Sequence, residues 1–265
     1  MATPNRWAVR EAAIATFYNL TTDKPIVTLP TLKTSGVETS GETSYARGGR
    51  GNAKIVGFSS NREARLNLED AIFDNEALAM LTGNSITDGA KDILINKEEV
   101  TITSNAGTLE FTPKDSGALK GLYEMNADST LGTEITYTAS TPTSGSYSIS
   151  GKNITFFDGD YDDDAVVYAY YETTTDETAK TVKVTSDAFG GTFKVVLDCL
   201  IRDEYTRKDY AGQIIVPNAK FEDNFSFEFA AEGDPAVLTL PLEILKSPTS
   251  TDMWQLVIFD SALLT

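Results

Sequence analysis

ARGGRGNAKIVGFSSNREARLNLEDAIFDNEALAMLTG, residues 46–83, carries a turn signal, two strand patterns and a helical one in succession. It opens on Gly48, Gly49, Arg50, Gly51 and Asn52, where small residues admit positive φ and close backbone approach, so a turn is expected. A strand follows over residues 53–59. After Asn61 a second strand alternates, with Ala64, Leu66 and Leu68 on one side and Glu63, Arg65, Asn67 and Glu69 on the other. Then the period changes. Ile72, Phe73, Glu76, Ala77, Leu78, Ala79, Met80 and Leu81 recur at helical spacing, with Asp74 placed to cap the N-terminus and Gly83 the C-terminus. The expectation is one short helix laid against a β-built body, with Leu78 and Leu81 buried and Glu76 exposed.

Toward the N-terminus, residues 12–20 read as a strand, 21–25 as a turn and 26–29 as the returning strand. Residues 31–52, TLKTSGVETSGETSYARGGRGN, are almost free of large apolar side chains. Their Ser, Thr and Gly content suits a flexible linker, and their Thr and Val content suits a long two-stranded hairpin with little core contact.

Toward the C-terminus the texture changes at residue 92. Strand signals recur over 99–103, 108–112, 134–139, 146–150, 154–157 and 165–172, a spacing that reads as a small all-β, Ig-like sandwich inserted at 92–178. That segment holds 16 acids against four lysines, a net charge of −12 out of −17, and a Thr-rich joint leaves it. Beyond it, residues 182–185, 192–202, 213–217, 220–230 and 236–245 form an expected meander. Gly190-Gly191 and residues 232–235 are read as its turns, and 253–259 as a last strand. In 220–230, Phe221, Phe225, Phe227 and Phe229 supply the apolar positions. The reading is therefore a discontinuous body, 1–91 with 179–265, interrupted by a second domain.

The chemistry that composition leaves open is narrow. The chain has no histidine, so the commonest general base and the Ser-His and Cys-His pairs are missing. Its single cysteine, Cys199, cannot form an internal disulfide and reads as a small core residue. The glycine-rich ARGGRGN run is not followed directly by a helix, as a phosphate loop would be. Asp158, Asp160 and Asp162 match the start of a calcium loop, but Asp163 takes the glycine position and Ala169 that of the bidentate Glu; a solvated acidic turn is the other reading. No cofactor, metal or catalytic residue is assigned, and an enzyme is not expected. An 18-residue apolar run is absent, and the N-terminus lacks the apolar core of a secretory signal, so the chain is expected to stay where it is made. So acidic a protein has little tendency to bind nucleic acid by counterion release.

Three stretches, WAVREAAIATFY (7–18), YARGGRGNAKIVGF (45–58) and LNLEDAIFDNEALAMLTG (66–83), resemble tail tube (major tail) proteins of tailed bacteriophages, notably contractile-tailed ones. VKVTSDAFGGTFKVVLDCLIRDE (182–204) and IIVPNAKFEDNFSFEFAAEGDPAVLTLPLEIL (214–245) are similar to the C-terminal half of the same family. The resemblance implies a β-sandwich with one flanking helix. Six copies would join their sheets into a ring lined by a β-barrel, and rings would stack into the conduit for DNA ejection. It also implies assembly in the host cytoplasm, residence in the virion tail, tail sheath, baseplate and tail-terminator proteins as partners, passage of DNA without specific binding, and no membrane. A capsid decoration protein or other virion component, and a surface-adhesion module, are the alternatives.

Within that picture residues 31–52 become a contact arm. Residues 1–57 carry seven bases and four acids, a net +3 on an acidic chain, and such a segment should seek another copy's acidic surface. Lys33, Glu38, Glu42, Tyr45, Arg47 and Arg50 are the expected inter-subunit contacts. The arm is expected to be poorly ordered in the monomer and to order against a neighbour.

Overall fold

The computed structural model describes residues 3–115, 117–225 and 235–263. The N-terminal elements are β1 (Trp7–Val9), β2 (Ile14–Tyr18), β3 (Pro25–Leu29), β4 (Leu32–Gly48), β5 (Ala53–Asp70) and α1 (Asn75–Thr82). Then come β6 (Thr87–Asp88), β7 (Asp92–Thr101), β8 (Ala106–Thr108), β9 (Gly121–Met125), β10 (Leu131–Glu134), β11 (Thr136–Tyr137), β12 (Ser146–Ser150), β13 (Asn153–Phe156), β14 (Val166–Thr174) and β15 (Lys180–Thr181). The last four strands are β16 (Thr192–Asp203), β17 (Asp209–Phe221), β18 (Leu238–Ile244) and β19 (Gln255–Phe259). The protein is mainly β, with a single α-helix among the described residues. Two compact units result: Met1–Ile86 with Val182–Thr265, and Thr87–Thr181.

In the first unit nine strands share one sheet, ordered β3-β2-β16-β17-β18-β5-β4, with β1 also paired to β16 and β19 to β17. Among the described residues no sheet closes into a barrel. The register follows from burial. On β5, Ala64, Leu66 and Leu68 are buried while Glu63, Arg65 and Asn67 are exposed, and the facing strand β18 buries Leu238, Leu240, Leu242 and Ile244. Slipping the pairing by one residue would turn all of these to solvent. Buried Asp70 ends β5 by accepting from the Thr31 hydroxyl at 2.5 Å and the Ile72 amide at 3.2 Å.

Helix α1 has eight residues, too few to persist alone, so packing holds it. The Asp74 side chain accepts from the amides of Glu76 and Ala77, and Gly83 closes the other end at φ 69°. Ala77, Leu78, Met80 and Leu81 enter a core shared with Phe17, Leu66, Leu242 and Phe221. Phe17 stacks on Phe221, with ring centroids 5.6 Å apart, and Phe193 meets both edge-on. Ile72, included above in the helical pattern, instead precedes the helix and is 57% exposed.

Other expectations need correction. Residues 53–59 and the alternating run after Asn61 belong to one strand, β5, because Asn61 at φ 49° absorbs a register shift opposite Ser40 and Glu42. Pro217 does not end a strand. Its missing N–H falls where β16 and β17 shift register, between Phe193 and Val195, so β17 continues to Phe221. Residues 182–185 form no strand, and Val182 and Val184 are exposed. Gly190 and Gly191 form a close-packed approach to the helix, not a turn. Phe227, Phe229 and the expected turn at 232–234 lie outside the described residues.

The second unit holds two four-stranded sheets, β10-β9-β14-β7 and β11-β12-β13-β8, over a core that includes Val100, Ile102, Leu122, Ile154, Phe156 and Val167. The expected strand 134–139 is divided between β10 and β11, because buried Ile135 is where the chain passes from one sheet to the other. Strand β9, GLYEM, escaped the reading: a glycine and a glutamate mask its alternation, yet Leu122 is fully buried. Tyr147 and Tyr171 satisfy their buried hydroxyls by accepting from the amides of Leu119 and Phe111. The two-stranded pairing of β6 with β15 falls outside the expected 92–178 limits, so this unit begins and ends beyond them.

Candidate assembly surface

Strands β4 and β5 make a hairpin of two unequal halves. Near its base, Val37, Leu66 and Leu68 pack on the core, and the Trp254 indole donates to Thr39 Oγ1 at 3.0 Å. From the bulge at Asn61 to Ala53 no residue of β5 is buried, yet the ladder continues to Gly48 opposite Ala53. Gly49 (φ 74°), Gly51 (φ 92°) and Asn52 (φ 50°) form the turn, closed by the Asn52 amide on the Gly49 carbonyl at 3.1 Å. The glycine-rich run is thus a hairpin tip between strands. The arm expected to be poorly ordered is a strand paired with β5 from Leu32 to Gly48 through three register shifts, because the chain itself supplies the partner.

The expected contact residues divide between the halves. Tyr45 lies across from Gly57, where the missing side chain leaves room for its ring, and Lys54 Nζ sits 3.8 Å from that ring's centroid. Arg47 faces Lys54 and Arg50 occupies the turn. Glu42 accepts from the Asn61 side chain at 2.8 Å and so pins the bulge. Lys33 and Glu38 are exposed on the proximal half, with Glu38 opposite Arg65, and the structure does not bring them to the tip.

Two features of the distal half sharpen or extend what the sequence suggested. Residues 43–62 contain four bases, Arg47, Arg50, Lys54 and Arg62, and no acid. None of the four has an ion pair among the described residues, whereas Arg6, Arg10, Arg65 and Arg202 each hold a carboxylate. Second, Ile55, Val56 and Phe58 are 65%, 48% and 59% exposed. The signal lay in the same stretch: apolar residues at 55, 56 and 58 fit neither face of a half-buried strand. A two-stranded ribbon with apolar side chains in water is marginal by itself. The outer edge of β4 also carries no strand among the described residues.

The acidic turn of the second unit is built into structure. Asp158 accepts from the Asn105 side chain, Asp160 from Ser144 and the Gly145 amide, and Asp163 from the Ser104 amide, so these carboxylates tie separate loops. Among the described residues no three His, Cys, Asp or Glu side chains are placed to hold a metal. Burial pushes the Cys199 thiol up, favouring its neutral form. Among the described residues no helix is long and apolar enough to cross a membrane.

These features define a mainly β protein whose distinctive surface is a cationic, partly apolar ribbon rather than a polar cleft. The chain belongs to the YomU/Tube protein family, whose model matches residues 7–257, and that name points to a phage tube-like structural protein. No curated protein matches it.

Proposed function

We propose that the protein is the subunit of a phage tail tube of the contractile-tailed type. Six copies close a ring by joining sheet edges, and rings stack through the β4–β5 hairpin into the conduit for DNA ejection. The observation that carries this reading is the distal ribbon, which exposes apolar side chains and unpaired cations on a protein of net charge −17. A solitary protein would gain nothing from that arrangement, while a neighbouring copy offers both an apolar surface and carboxylates. Family membership supports the tube. The acidic balance supports a bore that DNA crosses without sticking. Tail sheath, baseplate and tail-terminator proteins are the partners in the virion, and the role needs no catalytic residue or cofactor. Arg47→Glu with Arg50→Glu is the test. The monomer's unfolding midpoint should hardly move, while the sedimentable, assembled fraction falls; unchanged assembly would remove the arm from the account.

A further inference from the structure

Resting on that reading of the arm, we propose where the tip lands: in the groove at the base of the hairpin of a second copy. The groove has a volume of about 800 Å³ and opens between the base of β4–β5, the end of β18 and the segment before β19. Met253 and Trp254 give it an apolar wall, and the bond from Trp254 to Thr39 holds that wall against β4 in the absence of any partner. Glu63, Glu243 and Asp252 line it and have no ion pair among the described residues. Arg62 and Lys246 also line it, so an incoming ribbon meets carboxylates and cations at separate points.

The tip presents the complement. Val56 and Phe58 share one face of the ribbon with Ala46, while Arg47, Arg50 and Lys54 supply donors without a competing acid. Guanidinium groups suit bidentate contact with carboxylates, and the apolar pair suits Met253 and Trp254. A hairpin cannot fill its own groove. From Asn61 to the turn the ribbon runs about ten residues, roughly 33 Å at the rise of a strand. The contact is therefore tip of one copy to base of the next, a heterologous arrangement that propagates as a ring or an open stack.

Three variants test the landing site: the tip reversal Arg47→Glu/Arg50→Glu, the groove reversal Glu243→Lys/Asp252→Lys, and the two combined. Each half alone should lower the sedimentable fraction about tenfold, and the combination should restore most of it. Groove variants that assemble like the parent, while the tip variant does not, would overturn the landing site and leave the arm reading standing. A parent protein that never assembles would overturn both. In a Cys199→Ser background, Phe58→Cys mixed with Met253→Cys should give an intermolecular disulfide on mild oxidation that neither gives alone. Its absence from assembled material would also overturn the proposal.

Discussion

The Met80 carbonyl accepts a hydrogen bond from the Gly191 amide at 3.1 Å. One of the carbonyls that every helix C-terminus leaves open is thereby satisfied by the residue just before β16. The Gly191 carbonyl in turn accepts from the Phe221 amide at 3.1 Å, so helix, approach segment and the end of β17 form one joint.

That joint has no room for a side chain. A Cβ at Gly190 would stand 2.6 Å from Phe221 Cβ and 3.1 Å from the Leu81 carbonyl oxygen, neither of which can rotate aside. Gly190→Ala should cost about 1–3 kcal/mol in urea unfolding, the range for overpacking. Gly36→Ala is the control, because nothing lies within 4 Å of a Cβ there. It should be neutral or slightly stabilising.

The helix makes a second prediction. Leu81 is 2% exposed, and Leu81→Ala should cost about 2–5 kcal/mol. Glu76 is exposed, and because its backbone amide rather than its side chain meets the Asp74 cap, Glu76→Gln should change stability by less than about 0.5 kcal/mol. Comparable losses in one denaturation series would mean that the helix does not pack as described.

Much of this arrangement could be read from the sequence because local rules agreed. The 64–68 alternation, the Asp74 cap and the Gly83 terminus each follow from spacing, and each stands in the structure. What failed were features set by tertiary context. Asn61 and Pro217 read as breaks, whereas register shifts carry both strands through them. Gly190-Gly191 read as a turn because a glycine pair says only that the backbone is free, not what approaches it. The candidate site was half legible. Charge singled out Arg47 and Arg50, but the groove at Trp254 joins residues more than two hundred positions apart, and no local pattern announces that.

Acid should weaken the fold in a defined direction. The hydrogen bond from Arg202 holds Asp209 below the ordinary carboxylate range, and that from Lys208 does the same for Asp260. A carboxylate with a lowered folded-state pKa contributes stability in full above its unfolded value and loses it as pH falls through the folded one. Stability should therefore hold from neutrality to about pH 5 and decline progressively below about pH 4. Asp209→Asn should make the acid limb shallower, as followed by thermal unfolding across pH.

The second unit should be dispensable for the body's fold. Thr87 and Thr181 are register partners in the β6–β15 pairing, so the two chain crossings lie about one strand spacing apart. Replacing residues 87–181 by a short Gly/Ser linker should leave a cooperatively unfolding protein that still assembles. An insoluble or non-cooperative product would mean that the body needs the sandwich.

Electron microscopy of the purified protein at high concentration shows whether copies of this chain build a tube. Six-fold rings or open-ended tubes are expected, fewer of them at high salt as the charged tip contacts are screened. Monomers alone at every concentration and salt, together with absence from the tail tubes of virions, would contradict that assembly.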